Sequence, residues 1–331
     1  MRIMFSLVVV LLLALVAYLG TEVAGLQIVF GGVLPYVAVA VFLIGVVATV
    51  IKWAKSPVPF HITTTCGQQK SLPWIKSSYV ENPHTKLGVL FRMVLEVLFF
   101  RSLFRNTSAQ VLGSERKVAY QPNVWLWLAG MAFHWTMLVI VFRHLRFFLA
   151  EVPWVVHAVQ NLDGFFQVGV PVFYASSIIF LAALTFLFLR RLASPALRYI
   201  SLLNDYFPLF LLLGIGSTGF ILRHLVKTDV VAVKQVAMGL VGFHPVAPPE
   251  VHWLFYMHLF LVTVLLAYLP FSKIMHLGGI FMSPTRNMAN TNRAKRHVNP
   301  WDYPVKVHTY EEYEDEFRDK MKAVGIPVDK E

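Results

Sequence analysis

Six stretches of the chain are almost unbroken runs of apolar side chains, and polar and basic residues gather in the connectors between them. The runs extend approximately from Met4 to Leu19, Gln27 to Ile51, Asn123 to Leu149, Val168 to Leu189, Tyr206 to Val226 and Val251 to Phe271. About 20 apolar residues in α-helical form cover the roughly 30 Å hydrocarbon core of a bilayer. A helix pairs its own backbone groups, which lipid cannot do for it. The pattern therefore predicts an all-α integral membrane bundle of about six transmembrane helices. Residues 1–53 form two N-terminal spans, 54–122 an extended connector with polar stretches, 123–277 a four-helix bundle and 278–331 a polar tail. The first run follows Arg2 and has a cleaved signal peptide as its alternative reading, but it is long for one and no clear A-x-A site follows it.

Composition narrows the function classes. Hydrophobic residues make up 57% of the 331 and charged residues 14%, with a mean hydropathy of +0.61, whereas soluble domains carry about 25% charged residues. Too few charges remain to wet a globular surface, which argues against a soluble enzyme or a disordered regulator. The net charge of +11 arises from basic residues clustered in connectors, so it reports membrane topology and not nucleic-acid binding. Ten of the 29 basic residues lie between the second and third runs: Lys52, Lys55, Lys70, Lys76, Lys86, Arg92, Arg101, Arg105, Arg116 and Lys117. The positive-inside rule makes this connector cytoplasmic. Carried through six spans, it makes both termini and the Arg190, Arg191 and Arg198 turn cytoplasmic too. Only Arg143, Arg146, Arg223, Lys227 and Lys234 are left outside. The expected location is the cytoplasmic membrane, crossed several times.

Within the connector, Leu90, Val94, Val97 and Leu98 recur at helical spacing beside Arg92, Arg101 and Arg105, the pattern either of an interfacial helix or of a stripe packed on neighbours. The tail carries the acidic run Glu311, Glu312, Glu314, Asp315 and Glu316, a solvated face or a partner contact. A single cysteine, Cys66, excludes a disulfide framework, a CxxCH haem attachment and an iron–sulfur cluster held by the chain's own thiolates. The sequence has no Walker or HExxH motif, no GxGxxG loop, since GIGSTG at 214–219 lies inside an apolar run, and no internal repeat.

Ionisable residues inside membrane spans are expensive, and several are present. The third run, MAFHWTMLVIVFRHLRFF, holds His134 and His144 ten residues apart; the sixth with its extension, YMHLFLVTVLLAYLPFSKIMH, holds His258 and His276 eighteen apart. Ten residues rise about 15 Å, so His134 and His144 cannot share one metal but can serve two levels. With the two helices antiparallel, His144 meets His258 near the outer face and His134 meets His276 near the inner face. Two imidazoles per level are what axial ligation of a b-type haem requires. Eighteen residues rise about 27 Å, more than the partner's 15 Å, so tilt or a bend at Pro270 has to absorb the difference. Interhelical hydrogen bonding is the ordinary alternative for any one of these histidines.

His224, near the outer end of the fifth run, either replaces an outer ligand or acts beside the haem as a proton acceptor or quinone hydrogen-bond partner, since imidazole titrates near neutral pH. Arg143, Arg146 and Arg223 gather at the same end, either contacting haem propionates or quinone or snorkelling to headgroups. Gly214, Gly216 and Gly219 in LLLGIGSTGF permit close approach of another helix or a flat macrocycle. His157, His244 and His252 beside outer connectors, and His61, His84, His297 and His308 in polar inner segments, read as surface residues.

The histidines ten apart, followed by the pair eighteen apart that ends in PFSKIMH, resemble the gamma-subunit family of membrane-bound nitrate reductases over about Asn123 to Leu277. That resemblance implies two haems b in a four-helix core, His144 and His258 on the outer and His134 and His276 on the inner, carrying electrons from quinol to a cytoplasmic iron–sulfur partner. The additional N-terminal span and the connector HITTTCGQQKSLPWIKSS depart from that pattern. They resemble the DsrM-type cytochrome b subunits of DsrMKJOP complexes in sulfur-metabolising prokaryotes and their Hme and Tmc relatives. This second resemblance implies menaquinone as membrane partner, a DsrK-like iron–sulfur subunit related to the catalytic subunit of heterodisulfide reductase, and a link to sulfate or sulfite reduction. Cys66, Gly67, Gln68, Gln69 and Lys70 in its most specific stretch are then expected to dock that subunit. The expected function is that of an electron-transfer subunit of an oxidoreductase complex with a quinol-oxidising site. A histidine-lined metal or proton transporter would need acidic residues beside the histidines, and the third and sixth runs have none. A cofactor-free membrane anchor is the other rival.

Overall fold

The computed structural model describes residues 1–56, 78–112, 117–164, 172–289 and 307–330. Among these, six helices are long and apolar enough to cross a membrane: Arg2–Val23, Val29–Ala54, Val124–Phe148, Ala175–Ala193, Leu203–Val226 and Trp253–Phe271. Their α-helical parts are α1 (Arg2–Tyr18), α2 (Leu34–Ala54), α5 (Val124–Phe148), α7 (Ala175–Ala193), α9 (Leu203–Ile221) and α11 (Trp253–Tyr268). Single wide π turns extend α1 over Leu19–Val23, α9 over Leu222–Val226, and precede α2 over Val29–Val33. Five spans match the apolar runs to within a few residues. The fourth begins at Ala175 instead of Val168: Val172 to Tyr174 are non-helical and the Tyr174 backbone is extended. Hydropathy alone does not register that stop, because the residues before Ala175 are themselves apolar.

Between the spans lie α3 (Lys86–Phe99), α4 (Arg101–Phe104), the antiparallel hairpin β1 (Thr107–Leu112) and β2 (Lys117–Pro122), α6 (Trp154–Asp163), α8 (Pro195–Ile200) and α10 (Val230–Val241). After α11 come α12 (His276–Met282), α13 (Pro284–Asn287) and the tail helix α14 (Tyr310–Ala323). The polar connectors mark their helix starts with side-chain caps. Thr85 accepts from Gly88 N–H before α3, and Asp229 from Val231 and Ala232 N–H before α10. His252, expected as a surface residue, instead accepts from Leu254 N–H at the start of α11.

The spans pack in a chain of neighbours: α5 on α7, α7 on α9, α9 on α11, with α1 in the groove of α9 and α11 and α2 against α11. The buried centre is small. Phe180, Leu184 and Leu212 join α7 to α9; Val10, Leu211 and Leu261 join α1, α9 and α11; Ala17, Phe30, Val236 and Tyr256 close the far end. Few apolar side chains of any span are fully buried, because lipid is as good a solvent for leucine as a protein core is. α5 and α11 do not pack along one another; each leans on the helices between them.

The sixth span breaks where Pro270 removes a backbone donor. α11 ends at Tyr268, and two short 3₁₀ turns, Leu269–Phe271 and Lys273–Met275, lead into α12. The break is seated against α2. A Cβ on Gly45 would stand 2.7 Å from the Pro270 ring, and Thr49 Oγ1 donates to the Pro270 carbonyl at 3.2 Å.

Candidate functional site

Four histidines on α5, α11 and α12 come together as two pairs. His134 and His276 have ring centroids 6.0 Å apart with planes at 83°, and His144 and His258 have centroids 6.4 Å apart with planes at 20°. His134 and His144 stand ten residues apart on one continuous helix, which separates the pairs by about 15 Å along it.

Each ring is held by the same nitrogen. His134 Nδ1 bonds the Gly130 carbonyl at 2.7 Å, His144 Nδ1 the Ile140 carbonyl at 2.7 Å, and His276 Nδ1 the Lys273 carbonyl at 2.9 Å. His258 Nδ1 bonds Thr218 Oγ1 at 2.9 Å, and that hydroxyl donates its own proton to the Gly214 carbonyl at 2.8 Å. Carbonyl oxygens only accept, and the Thr218 proton is already committed, so all four networks assign the imidazole proton to Nδ1. Nε2 then carries the lone pair in every ring, the state of a metal-ligating histidine fixed by its outer hydrogen bond.

The spacing and the donor set both fit an iron macrocycle. Two metal–imidazole bonds of about 2 Å in line, with about 1 Å from each nitrogen to its ring centroid, give a centroid separation of about 6 Å. Among the described residues no three His, Cys, Asp or Glu side chains converge as a metal cage. Two imidazoles per level suit a metal that brings its equatorial ligands with it. Gly219 contributes space: a Cβ there would lie 3.1 Å from His258 Cε1. Gly216 serves packing instead, its missing Cβ opposing Phe180 and Leu181 at 2.8 Å, and Gly214 makes ordinary contacts. Phe100 and Phe133 stand edge-on to His134 at 4.8 and 4.7 Å.

The three arginines at the His144 end are all engaged by protein groups. Arg143 is buried, with Nε 3.0 Å from Asp163 Oδ2 and Nη2 donating to Ser176 Oγ at 3.2 Å. Asp163 also accepts the backbone N–H and hydroxyl of Ser176, so one carboxylate ties α6 to α5 and α7. Arg146 donates to Gln160 Oε1 at 2.6 Å, and Arg223 reaches the Val172 carbonyl at 3.4 Å. Arg143 and Arg223 both lie over the Tyr174 ring, at 3.7 and 4.2 Å. His224, in the π turn that ends the fifth span, stacks on Phe173 at 4.1 Å and beside Phe220 at 4.6 Å. Both its ring nitrogens are buried and have no hydrogen-bond partner among the described residues.

Cys66, Gly67, Gln68, Gln69 and Lys70 lie outside the described residues, as do His61 and His297. His157 and His244, expected beside outer connectors, and His308, expected in a polar inner segment, are exposed, and His84 is half-buried against Tyr79. Asp163, Tyr174 and Thr218 escape the sequence reading. Asp163 carried one legible signal, as one of only two acidic residues, with Glu151, between the third and fourth spans and close to two arginines. Thr218 carried none, since its value depends on which ring of another helix stands opposite.

The family model described as nitrate reductase gamma subunit matches residues 88–294 of this chain. The Hdr-like menaquinol oxidoreductase cytochrome b-like subunit of Archaeoglobus fulgidus is 45% identical over 282 residues, covering 83% of this chain and 84% of that protein. A protein of the same name from Archaeoglobus profundus is 41% identical over 276 residues, covering 81% of each. A six-span fold, two histidine pairs and a match across the segment that carries them make this chain a multi-pass membrane protein that belongs to the nitrate reductase gamma subunit family.

Proposed function

We propose that the chain is the dihaem cytochrome b subunit of a membrane oxidoreductase complex and passes electrons between menaquinol and a cytoplasmic iron–sulfur subunit. The observation that carries this reading is the doubled arrangement of imidazoles, each pair about 6 Å between centroids and each ring tied through Nδ1. His134 and His276 would hold one haem b, and His144 and His258 the other. Haem held in this way supplies reversible one-electron chemistry. The chain contributes orientation of the ligands, an apolar surround and the spacing between the two levels.

The relatives' name supports quinol as the membrane partner. The distribution of basic residues supports an outward-facing His144 and His258 end and a cytoplasmic His134 and His276 end. At the outer end His224 has a free acceptor nitrogen and follows Gly219, which abuts His258, by five residues. Its role is to take a proton from the quinol hydroxyl, while Arg143, Arg146 and Arg223 keep the site positive for haem propionates or a quinol losing its proton. The finer assignment, a DsrM-type subunit with a DsrK-like partner docked through Cys66 to Lys70 and serving sulfite or sulfate reduction, rests on the TTCGQQKSLPWIK stretch.

The test is the absorption and electron paramagnetic resonance of the purified protein. Two b-type haems per chain are expected, with two low-spin signals of different anisotropy. Imidazole planes near 83° leave the iron π orbitals almost degenerate and give the larger anisotropy, whereas planes near 20° split them and give a rhombic signal. A colourless chain, or one haem per chain, overturns the proposal.

A further inference from the structure

The amphipathic helix α3 is turned inside out relative to a helix on a soluble domain. Arg92 and Glu96 are buried, at 3% and 4% exposure, while Leu87 and Leu90 are 69% and 59% exposed and Phe91, Val94 and Leu98 are exposed with them. Positions 87, 90, 91, 94 and 98 form one stripe at helical spacing. The charged face is held from inside: Glu96 accepts from Ser102 N–H at 3.0 Å and from its hydroxyl, and receives Arg286 of α13 at 3.4 Å.

The same helix is fastened to a membrane span. Trp127 Nε1 donates to the Phe99 carbonyl at 2.7 Å and Trp135 Nε1 to the Leu98 carbonyl at 3.0 Å. Trp135 lies eleven residues into α5, about 16 Å from its start. Phe100, in the left-handed conformation at φ 49°, then reverses the chain, and Leu103 and Phe104 run back along Gly130 and Trp127 of α5. The C-terminal end of α3, which carries Leu98 of the exposed stripe, is therefore fixed beside Trp135 of the span, and Trp135 is exposed along with Trp125, Leu128 and Leu138.

We propose that α3 is embedded in the bilayer interface, with its Leu87 to Leu98 stripe covered by lipid acyl chains. Lipid is favoured over a protein partner for two reasons. The stripe contains no hydrogen-bonding side chain, and its Leu98 end is fastened to a span whose exposed apolar side chains, from Trp125 to Phe148, are left for acyl chains to cover. Exposed Lys86 at its start is placed for the headgroup layer. This inference needs only that α5 spans a membrane, so it stands or falls separately from the haem reading.

The test uses the full chain, with whatever subunits accompany it, in nanodiscs of phosphatidylcholine and phosphatidylglycerol. In a Cys66→Ser background, spin labels are placed at Leu90→Cys and Val94→Cys, with Leu138→Cys as lipid-facing and Glu316→Cys as water-facing controls. Labels at 90 and 94 are expected to relax with oxygen and lose relaxation by a water-soluble nickel complex, as at 138. Relaxation by nickel, as at 316, would overturn the proposal. So would shielding from both reagents, which would mean a protein subunit or a second copy covers the stripe.

Discussion

Thr218→Val isolates one hydrogen bond beside one proposed haem ligand. Three of the four rings are tied to backbone carbonyls that no substitution removes, but His258 Nδ1 is tied to a side-chain hydroxyl at 2.9 Å. Valine keeps the shape of threonine and removes the acceptor. Leaving a buried N–H without a partner costs about 1–3 kcal/mol, and loss of an outer hydrogen bond to a metal-ligating histidine typically weakens binding about 10–100-fold. The two scales agree. The variant should therefore release the haem held by His144 and His258 about 10–100-fold more readily than the parent. The potential should move as well. An Nδ1–H without an acceptor makes the imidazole a poorer donor, which disfavours the ferric state, and a tenfold difference between oxidation states corresponds to about 59 mV for one electron. A rise of tens of millivolts in one haem is expected, with the other unchanged, read by a potentiometric titration of the two resonance signals. Equal shifts in both haems, or none in either, would refute the assignment of His258 as a ligand fixed by Thr218.

Other outcomes follow from the same geometry. His144→Ala and His258→Ala should each abolish the same resonance signal, and His134→Ala and His276→Ala the other; loss of different haems within a pair would refute the pairing. His224→Ala should slow quinol oxidation measured with a soluble menaquinol analogue while both haems stay bound, and a one-haem product would make His224 a ligand instead. Asp163→Asn leaves Arg143 buried without its counter-charge, both side chains being under 10% exposed in the pair. Breaking such a pair costs about 3–5 kcal/mol, so the variant should denature at markedly lower temperature or detergent challenge. Arg146→Ala, which removes the bond to Gln160 and leaves no buried charge behind, should cost less than the Asp163 change, about 1.5–3 kcal/mol at most.

The spans were legible because lipid imposes one rule on every residue of a crossing helix: its backbone must pair internally and its surface must be apolar. The same uniformity hides packing. Nothing in the apolar pattern distinguishes Leu184 or Leu211, which are buried, from Leu138 or Leu189, which face outward. Histidines stand out in such a background, so both pairs could be singled out by spacing. Their fixing groups could not, because three are backbone carbonyls, present at every position, and the fourth belongs to a different helix. The polar connectors were the least legible. Leu90, Val94 and Leu98 spelled a helix with an apolar stripe, but only the structure shows that Arg92 and Glu96 are the buried side and the stripe the exposed one.

The break after Pro270 explains how two helices with unequal histidine spacing hold two levels. On α5 the pair stands ten residues apart without interruption, a rise of about 15 Å. An unbroken helix from His258 to His276 would rise about 27 Å and carry the second ring past His134. Instead α11 stops at Tyr268, Ser272 is extended, and the two 3₁₀ turns redirect the chain so that Lys273 offers its carbonyl to His276 Nδ1 and the ring stands 6.0 Å from His134. The motif PFSKIM is thus more than a spacer. Proline ends the helix, Ser272 caps the turn by accepting from Ile274 N–H, and Lys273 supplies the bond that sets the imidazole tautomer. A helix-forming replacement at Pro270 would favour continuation of α11, and its first consequence would be separation of His276 from His134 while His258 kept its place beside His144.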